Sequence, residues 1–121
     1  MTKRMVHRIA VLLVSLMMLG LPGLVSAEQK DSQPRTLTGH VLSSDNQPLQ
    51  NAVVYLKNTK TLAVKTYISE ADGSYRFPSL SPNVDYEVYA AFQGAHSDTK
   101  TLSSFDSRKQ FNISLKIHSA K

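Results

Sequence analysis

The stretch SEADGSYRFPSL, residues 69–80, combines the signal for a tight turn with the signal for a β-strand. Glycine adopts positive φ values at no steric cost, and Asp-Gly is a dipeptide that tight hairpin loops favour. Tyr75 and Phe77 follow Asp72-Gly73 and are two residues apart, so they would point to the same face of a strand. We expect both aromatic side chains to lie in the core. The stretch thus predicts a hairpin in which the strand before Gly73 pairs with the strand after it.

A corner of the chain is expected directly after this strand. Leu80 and Pro82 mark the end of the strand, and Tyr86 follows Pro82 after a short polar segment. In β-sandwiches, a tyrosine at such a corner bonds through its hydroxyl to backbone a few residues upstream. We expect this arrangement for Tyr86.

The chain after residue 34 has a two-residue period nearly everywhere. Alternation of apolar and polar residues indicates a strand with one buried face. No segment has the period of an amphipathic helix. The expected buried faces consist of Leu37, Gly39 and Val41; Ala52, Val54 and Leu56; Leu62, Val64, Thr66 and Ile68; Tyr86, Val88, Ala90 and Phe92; and Phe111, Ile113, Leu115 and Ile117.

Turn-forming residues interrupt these runs at short intervals. Six clusters of Gly, Pro, Asn, Asp and Ser imply about seven strands. Short strands with frequent turns are typical of a sandwich, because each sheet has one apolar face that the other sheet covers. The predicted fold class is all-β: an antiparallel Greek-key β-sandwich of about seven strands. The clusters lie at residues 43–48, 58–61, 70–73, 81–85, 93–98 and 103–109.

The first 27 residues have the composition of a secretory signal peptide. Three basic residues precede an apolar run at residues 9–21, which is shorter than the roughly 20 residues that span a bilayer. The small residue Ala27 favours cleavage between Ala27 and Glu28. An uncleaved N-terminal anchor is the alternative. The predicted organisation is a signal peptide at 1–27, a disordered lead-in at 28–34, a β-sandwich at 35–117 and a tail at 118–121.

The charge of the chain gives little support to nucleic acid binding. The net charge is +5, but Lys3, Arg4 and Arg8 belong to the predicted signal, which leaves 11 basic and 9 acidic residues after Ala27. These later charges are interspersed, whereas a nucleic acid interface needs clustered Lys and Arg. The chain has no cysteine, so we expect its core alone to hold the domain together.

In their order and spacing, these motifs resemble the carboxypeptidase regulatory-like domain over about residues 35–117. That family has a transthyretin-like (prealbumin-like) β-sandwich. The resemblance implies an accessory module with carbohydrate-binding-like relatives and with no catalytic residues or cofactors of its own. The matching positions are Gly39, Val41, Asp45, Pro48, Leu49, Ala52, Val54, Leu56, Asp72, Gly73, Tyr75, Phe77, Leu80, Pro82 and Tyr86.

The sequence departs from the family pattern at three places. Asn51 stands where the family has glycine, and Ser69 and Glu70 stand where Thr and Asp are usual. The corner at residues 82–86 is one residue longer than the family's, so we expect a reshaped loop there.

Residues for catalysis do not form a recognisable pattern. For nucleophilic catalysis, the chain contains neither a cysteine nor a G-x-S-x-G turn. For glycoside hydrolysis, the carboxylates lie near turns and are not expected to face each other across a cleft. His40, His96 and His118 are isolated, without a second histidine at ligand spacing. We therefore expect no enzyme, no metal and no cofactor. A hydrolase of the transthyretin-like group is a remote alternative.

Three tyrosines are the candidate binding residues. The alternation that places Ala52, Val64 and Val88 inward would place Tyr55, Tyr67 and Tyr89 outward. Exposed aromatic rings stack on sugars or anchor protein contacts, but they also simply cover neighbouring strands. Both interpretations remain open.

The combined expectation is a secreted or periplasmic, non-catalytic module that binds a protein or another envelope component. A carbohydrate-binding protein is the alternative. The expected partner is an extracytoplasmic protein or glycan and not a nucleic acid, and no stable membrane anchor would remain after signal cleavage.

Overall fold

A computed structural model describes residues 33–118, which form nine β-strands and no helix. The predicted signal peptide, its cleavage site at Ala27 and Glu28, most of the lead-in and residues 119–121 lie outside the described residues. The strands are β1 (Arg35–Leu42), β2 (Val53–Asn58), β3 (Val64–Ile68), β4 (Ser74–Leu80), β5 (Tyr86–Phe92), β6 (Ala95–His96), β7 (Lys100–Leu102), β8 (Gln110–Asn112) and β9 (Leu115–Lys116).

Over residues 33–118, we find no helix with the length and hydropathy needed to cross a membrane.

Two sheets form the predicted all-β sandwich. One sheet has the order β4-β1-β8, with β9 also paired to β1, and the other has the order β3-β2-β5-β6, with β7 also paired to β5. The pairing is not entirely antiparallel as predicted, because β1 runs parallel to both β8 and β9. The core between the sheets consists of Leu37, Val41, Ala52, Val54, Leu56, Tyr75, Phe77, Leu80, Tyr86, Val88, Ala90, Leu102, Phe111, Leu115 and Ile117.

The expected last strand is divided in two by a buried tyrosine. The Tyr75 ring lies against Gly39, its partner on β1, and the Tyr75 hydroxyl donates a hydrogen bond of 2.7 Å to the carbonyl oxygen of Ile113. Burial raises the pKa of the Tyr75 hydroxyl. Because Ile113 lies between β8 and β9, this bond occupies the point where the ladder with β1 is interrupted. A Cβ at Gly39 would lie 1.8 Å from the Ile113 oxygen, so this position requires glycine.

The turn in the opening stretch has the predicted glycine geometry but joins different strands. Gly73 has a φ of 80°, and its amide donates to the carbonyl oxygen of Glu70 over 2.8 Å. The predicted hairpin is nevertheless wrong, because β3 and β4 belong to different sheets. Val41 on β1 donates its amide to the Gly73 carbonyl, which ties the turn to the sheet of β4. The chain therefore crosses between the sheets at Gly73.

The buried face of β3 also differs from the prediction. Val54 on β2 points into the core, and its direct partner on β3 is Tyr67, so Tyr67 lies on the inner side. Val64 and Ile68 consequently point away from the core, and each is 54% exposed. The preceding loop sets this register: the side-chain oxygen of Asn58 accepts the amides of Lys60 and Thr61 at 2.9 Å, and the Asn58 carbonyl accepts the amide of Leu62 at 2.7 Å.

The corner after β4 is built as predicted. Tyr86 is buried, and its hydroxyl oxygen accepts a hydrogen bond of 2.9 Å from the amide of Ser81, five residues upstream. This bond fixes the loop between β4 and β5 against the first residue of β5.

Two glycines with the same φ provide a matched test of the crossing turn. Gly73 and Gly94 both have a φ of 80°, but a Cβ at Gly73 would lie 2.7 Å from the carbonyl oxygen of Val41, whereas a Cβ at Gly94 would meet nothing within 4 Å. Gly94→Ala should cost about 1 kcal/mol of backbone strain. Gly73→Ala should cost at least about 1 kcal/mol more, because strain and overlap add. Urea denaturation of both variants measures the difference, and equal losses would contradict the proposed packing.

Candidate binding surface

The side of the β3-β2-β5 sheet that faces away from the core forms one continuous surface, which we call the outward face. Strand register places β2 at its centre, with Tyr55 directly opposite Thr66 on one side and Tyr89 on the other. The outward face consists of Val53, Tyr55 and Lys57 from β2, Val64, Thr66 and Ile68 from β3, and Glu87, Tyr89 and Ala91 from β5.

Two of the three candidate tyrosines lie together on the outward face. The rings of Tyr55 and Tyr89 stack with their centroids 4.9 Å apart and their planes at 17°. Both residues are half-buried. Each ring therefore covers part of the other, as directly opposed aromatic residues of an antiparallel pair do. Cross-strand cover is established for this pair, while a role in binding stays a prediction.

The third tyrosine does not join them. Tyr67 lies on the inner side of β3, where its ring packs edge-on to Phe77 with a centroid distance of 6.0 Å. Its hydroxyl donates a hydrogen bond of 2.5 Å to Glu70, and this bond raises the pKa of the Tyr67 hydroxyl. The predicted outward direction of Tyr67 is wrong because the loop after β2 sets the phase of β3.

Val64 and Ile68, which the sequence pattern assigned to the core, lie on the outward face where Tyr67 was expected. Val64 and Ile68 border the tyrosine pair at the edge of the sheet, and both are more than half exposed. A single ion pair, between Lys57 and Glu87 at 4.0 Å, marks one end of the outward face. The position of Asn58 at the end of β2 was the sequence signal for the phase of β3, because an asparagine side chain is suited to closing a loop.

A shallow depression borders the other end of the outward face. It has a volume of about 420 Å³ and lies between the turn before β2 and the turn after β5. Val53 and Ala91 form part of its lining, and the lining also includes the amide-bearing residues Gln50, Asn51 and Gln93. The depression thus combines apolar surface with neutral hydrogen-bonding residues.

Two loops at one end of the sandwich meet around a buried arginine that sequence reasoning missed. Arg35 is 1% exposed, and no carboxylate among residues 33–118 bonds to it. Its guanidinium donates hydrogen bonds of 2.6 to 3.2 Å to the carbonyl oxygens of Ser81, Val84 and Ser103. The guanidinium also lies 5.6 Å from the centre of the Phe111 ring. These contacts fix two loops to the start of β1.

A fully exposed aromatic residue projects from the same group of loops. Phe105 is 95% exposed, although its loop is well braced. The amide of Ser104 donates to the Asp85 carboxylate over 2.6 Å, and this bond is the main reason that the pKa of Asp85 is lowered. Arg108 donates hydrogen bonds to both carboxylate oxygens of Asp106 and holds the pKa of Asp106 at about 2. A lone phenylalanine among polar loop residues was the available sequence signal.

The described part of the chain, residues 33–118, contains no group of three or more acidic or histidine residues able to hold a metal ion. The fold places two of the predicted isolated histidines side by side, because the backbone amide of His118 donates a hydrogen bond of 3.1 Å to the carbonyl oxygen of His96. The His118 ring lies 3.2 Å from Asp98, and His40 is exposed on β1, away from this pair.

The family model of the carboxypeptidase regulatory-like domain matches residues 36–116, and the chain belongs to this family. The predicted resemblance is confirmed. Of the motif residues, Val41, Ala52, Tyr75, Phe77, Leu80 and Tyr86 are buried in the core, Gly39 and Gly73 occupy positions that a Cβ would crowd, Asp72 caps the amide of Ser74, and Pro48 and Pro82 lie in connecting loops.

Solved structures show the same fold at low sequence identity. A dioxygenase domain from Streptomyces sp. SirexAA-E has a TM-score of 0.52 and 16% identity, with 77% of this chain and 84% of that chain covered. BcpA, the major pilin subunit of Bacillus cereus, has a TM-score of 0.57 and 10% identity, with coverage of 73% and 31%. Catechol 1,2-dioxygenase from Acinetobacter sp. ADP1 has a TM-score of 0.52 and 13% identity, with coverage of 74% and 54%.

The chain thus spans about a third of the pilin and about half of the catechol dioxygenase. No curated protein matches the sequence.

The buried arginine gives the second stability prediction. Arg35→Met keeps apolar bulk but leaves three loop carbonyls without their donor, and we expect a loss of about 3 kcal/mol, or roughly 12 °C in melting temperature. Arg108→Met is the matched control, because the Arg108 side chain is 68% exposed and, among the described residues, contacts only the Asp106 carboxylate and, at 4.8 Å, the Phe111 ring. Its melting temperature should fall far less. Similar melting temperatures for the two variants would contradict the structural role of Arg35.

Proposed function

We propose that the protein is a non-catalytic interaction module that acts outside the cytoplasm, in the periplasm or after secretion, and binds another protein through its outward face. The observation that carries this proposal is the apolar character of that face. Val64 and Ile68 are each 54% exposed beside the stacked pair of Tyr55 and Tyr89. Apolar surface on a folded sheet that is not needed for the core is typical of protein interaction sites.

Family membership supports the non-catalytic part of the proposal. The carboxypeptidase regulatory-like family is a regulatory-like fold without a catalytic role of its own, and residues 33–118 contain no acidic or histidine cluster able to hold a metal ion. The fold that the chain shares with the pilin subunit BcpA supports a role outside the cell.

A glycan is the second candidate ligand, favoured by the depression beside the outward face. Gln50, Asn51 and Gln93 line it, and amide side chains both donate and accept hydrogen bonds as sugar hydroxyls require. The Tyr55 and Tyr89 rings stack on each other, however, so each has one face already covered. A glycan array probed with the purified protein separates this candidate from the protein partner.

The binding role is tested by changing both tyrosines together. Tyr55→Ser with Tyr89→Ser removes a stacked, half-buried pair, so we expect a stability cost of about 2 kcal/mol. Capture of the partner from envelope extract should fall further, by roughly thirtyfold in affinity, because an aromatic anchor is worth about 2 kcal/mol or more. Melting and capture are measured on the same preparation and at a temperature where both proteins are folded.

A matched control lies on the opposite sheet. Gln110→Ser with Asn112→Ser truncates two exposed polar side chains of β8 without changing the charge. This variant should capture the partner as the wild type does. If the tyrosine variant melts earlier but its folded fraction still captures the partner normally, the rings are structural cover alone and the outward face is not the binding site.

Export has a direct test that is independent of binding. When the complete chain is expressed, the mature protein should begin at Glu28 and accumulate outside the cytoplasm. Mass spectrometry of the purified protein identifies its first residue. A chain that keeps residues 1–27 and stays in the cytoplasm would contradict this part of the proposal.

A further inference from the structure

Strand β3 is an open sheet edge. It is five residues long, contains no proline and, among the strands of residues 33–118, pairs only with β2. The opposite sheet has an edge at β4, but Pro78 and the irregular register near Ser79, which has a φ of 61°, interrupt that edge. The remaining edge strands, β6 to β9, have two or three residues each. Proteins block strand addition with bulges, prolines, short lengths and charged side chains, and of these β3 has only the charge of Lys65.

The hydrogen bonds of β3 show which of its backbone groups face outward. Asn58 bonds to Ala63 over 2.9 Å, and Ser69 bonds to Ala52 over 2.8 Å. Because bonded and non-bonded pairs alternate in an antiparallel ladder, Lys65 and Tyr67 direct their amides and carbonyls to β2. Val64, Thr66 and Ile68 therefore present theirs at the open edge. These three residues provide six backbone groups in one row, and none of them bonds to another backbone group in the part of the chain that the structure describes.

The sequence of this edge is complementary to itself. If a second copy of β3 runs antiparallel with Thr66 opposite Thr66, the bonded pairs are Thr66 with Thr66 and Val64 with Ile68, all of which have outward-facing backbone groups. The side chains then match as well, because threonine meets threonine and valine meets isoleucine on the outward face. Such reciprocal matching is what a twofold interface requires.

Neighbouring registers lack this match. A shift of two residues in one direction places Lys65 opposite Lys65, and like charges directly opposite one another are unfavourable. A shift of two residues in the other direction places Thr66 opposite Ile68 and separates the two apolar residues. A shift of one residue brings outward-facing backbone groups against inward-facing ones.

Charge complementarity favours the same register on the inner side. There Lys65 lies opposite Tyr67 of the second copy, whose hydroxyl bonds to Glu70. The ammonium group of each Lys65 is thus directed toward Glu70 of the other copy, and the twofold axis repeats this pair. Both Lys65 and Glu70 are exposed in the single chain, so their side chains are available for this contact.

We propose that two copies of this chain associate through antiparallel pairing of β3 about Thr66. The two β3-β2-β5 sheets then form one continuous sheet, and the two outward faces join across the axis. This inference does not rest on the proposed partner, because the pairing uses the edge of β3 and leaves Tyr55 and Tyr89 accessible.

The oligomeric state tests the pairing. The protein expressed as the complete chain and purified should pass from one to two chain masses between about 10 µM and about 1 mM in sedimentation equilibrium. Thr66→Pro removes an amide that faces the open edge, which a single chain tolerates at an edge strand, and it should remain monomeric throughout. A monomeric wild type at the highest concentration, or a Thr66→Pro variant that dimerises normally, would overturn the proposal.

A charge exchange keeps the test valid if the proline variant fails to fold. Lys65→Glu and Glu70→Lys should each weaken dimerisation by about tenfold, because each places like charges together twice. The double variant should restore the wild-type association constant. Single variants that dimerise normally, or a double variant no better than the singles, would overturn the proposed register.

Tyr55→Ser with Tyr89→Ser should dimerise as the wild type does, so that failure of partner binding and failure of dimerisation are distinguished.

Discussion

The loop that follows β2 is the constraint on which the functional surface of this protein depends. Asn58 closes it through its side chain and its carbonyl, and Leu62 takes a positive φ of 65° within it. Positive φ is costly for leucine, and these hydrogen bonds offset that cost. Closing the loop in this way fixes the register of β3 on β2. It therefore decides that Tyr67 packs inward while Val64 and Ile68 face solvent.

The rest of the sandwich does not depend on β3 for its core. Both sheets bury their apolar faces through the other long strands, and Tyr75 crosses Gly39 to bond with Ile113 and join β4 to the C-terminal strands. Strand β3 contributes the half-buried Tyr67 to this core. Because Tyr67 is the only β3 residue packed against the core among the described residues, the other apolar residues of β3 can lie on its outer side. The domain therefore has an apolar surface while the packing of its core is retained.

Period-two alternation was sufficient to predict the buried faces of β1, β2 and β5, because those strands lie within or beside well-covered sheets. Turn and corner chemistry predicted the positive φ of Gly73 and the Tyr86 hydrogen bond. Alternation predicted the wrong buried face for β3. A change of one residue in strand register exchanges the two faces, and the loop after β2 sets that register independently of the hydrophobic pattern. The role of Arg35 could not be predicted, because its acceptors are backbone carbonyls distant in sequence.

Residue-resolved amide hydrogen exchange tests the placement of β3 most directly. In dilute solution, the amides of Lys65 and Tyr67 should exchange slowly because β2 accepts them, whereas those of Val64, Thr66 and Ile68 should exchange quickly at the open edge. An alternating pattern of this kind would establish which side of β3 is free. The reverse pattern, with Val64 and Ile68 protected in dilute solution, would show that β3 has the phase its hydrophobic pattern suggests and would contradict this account.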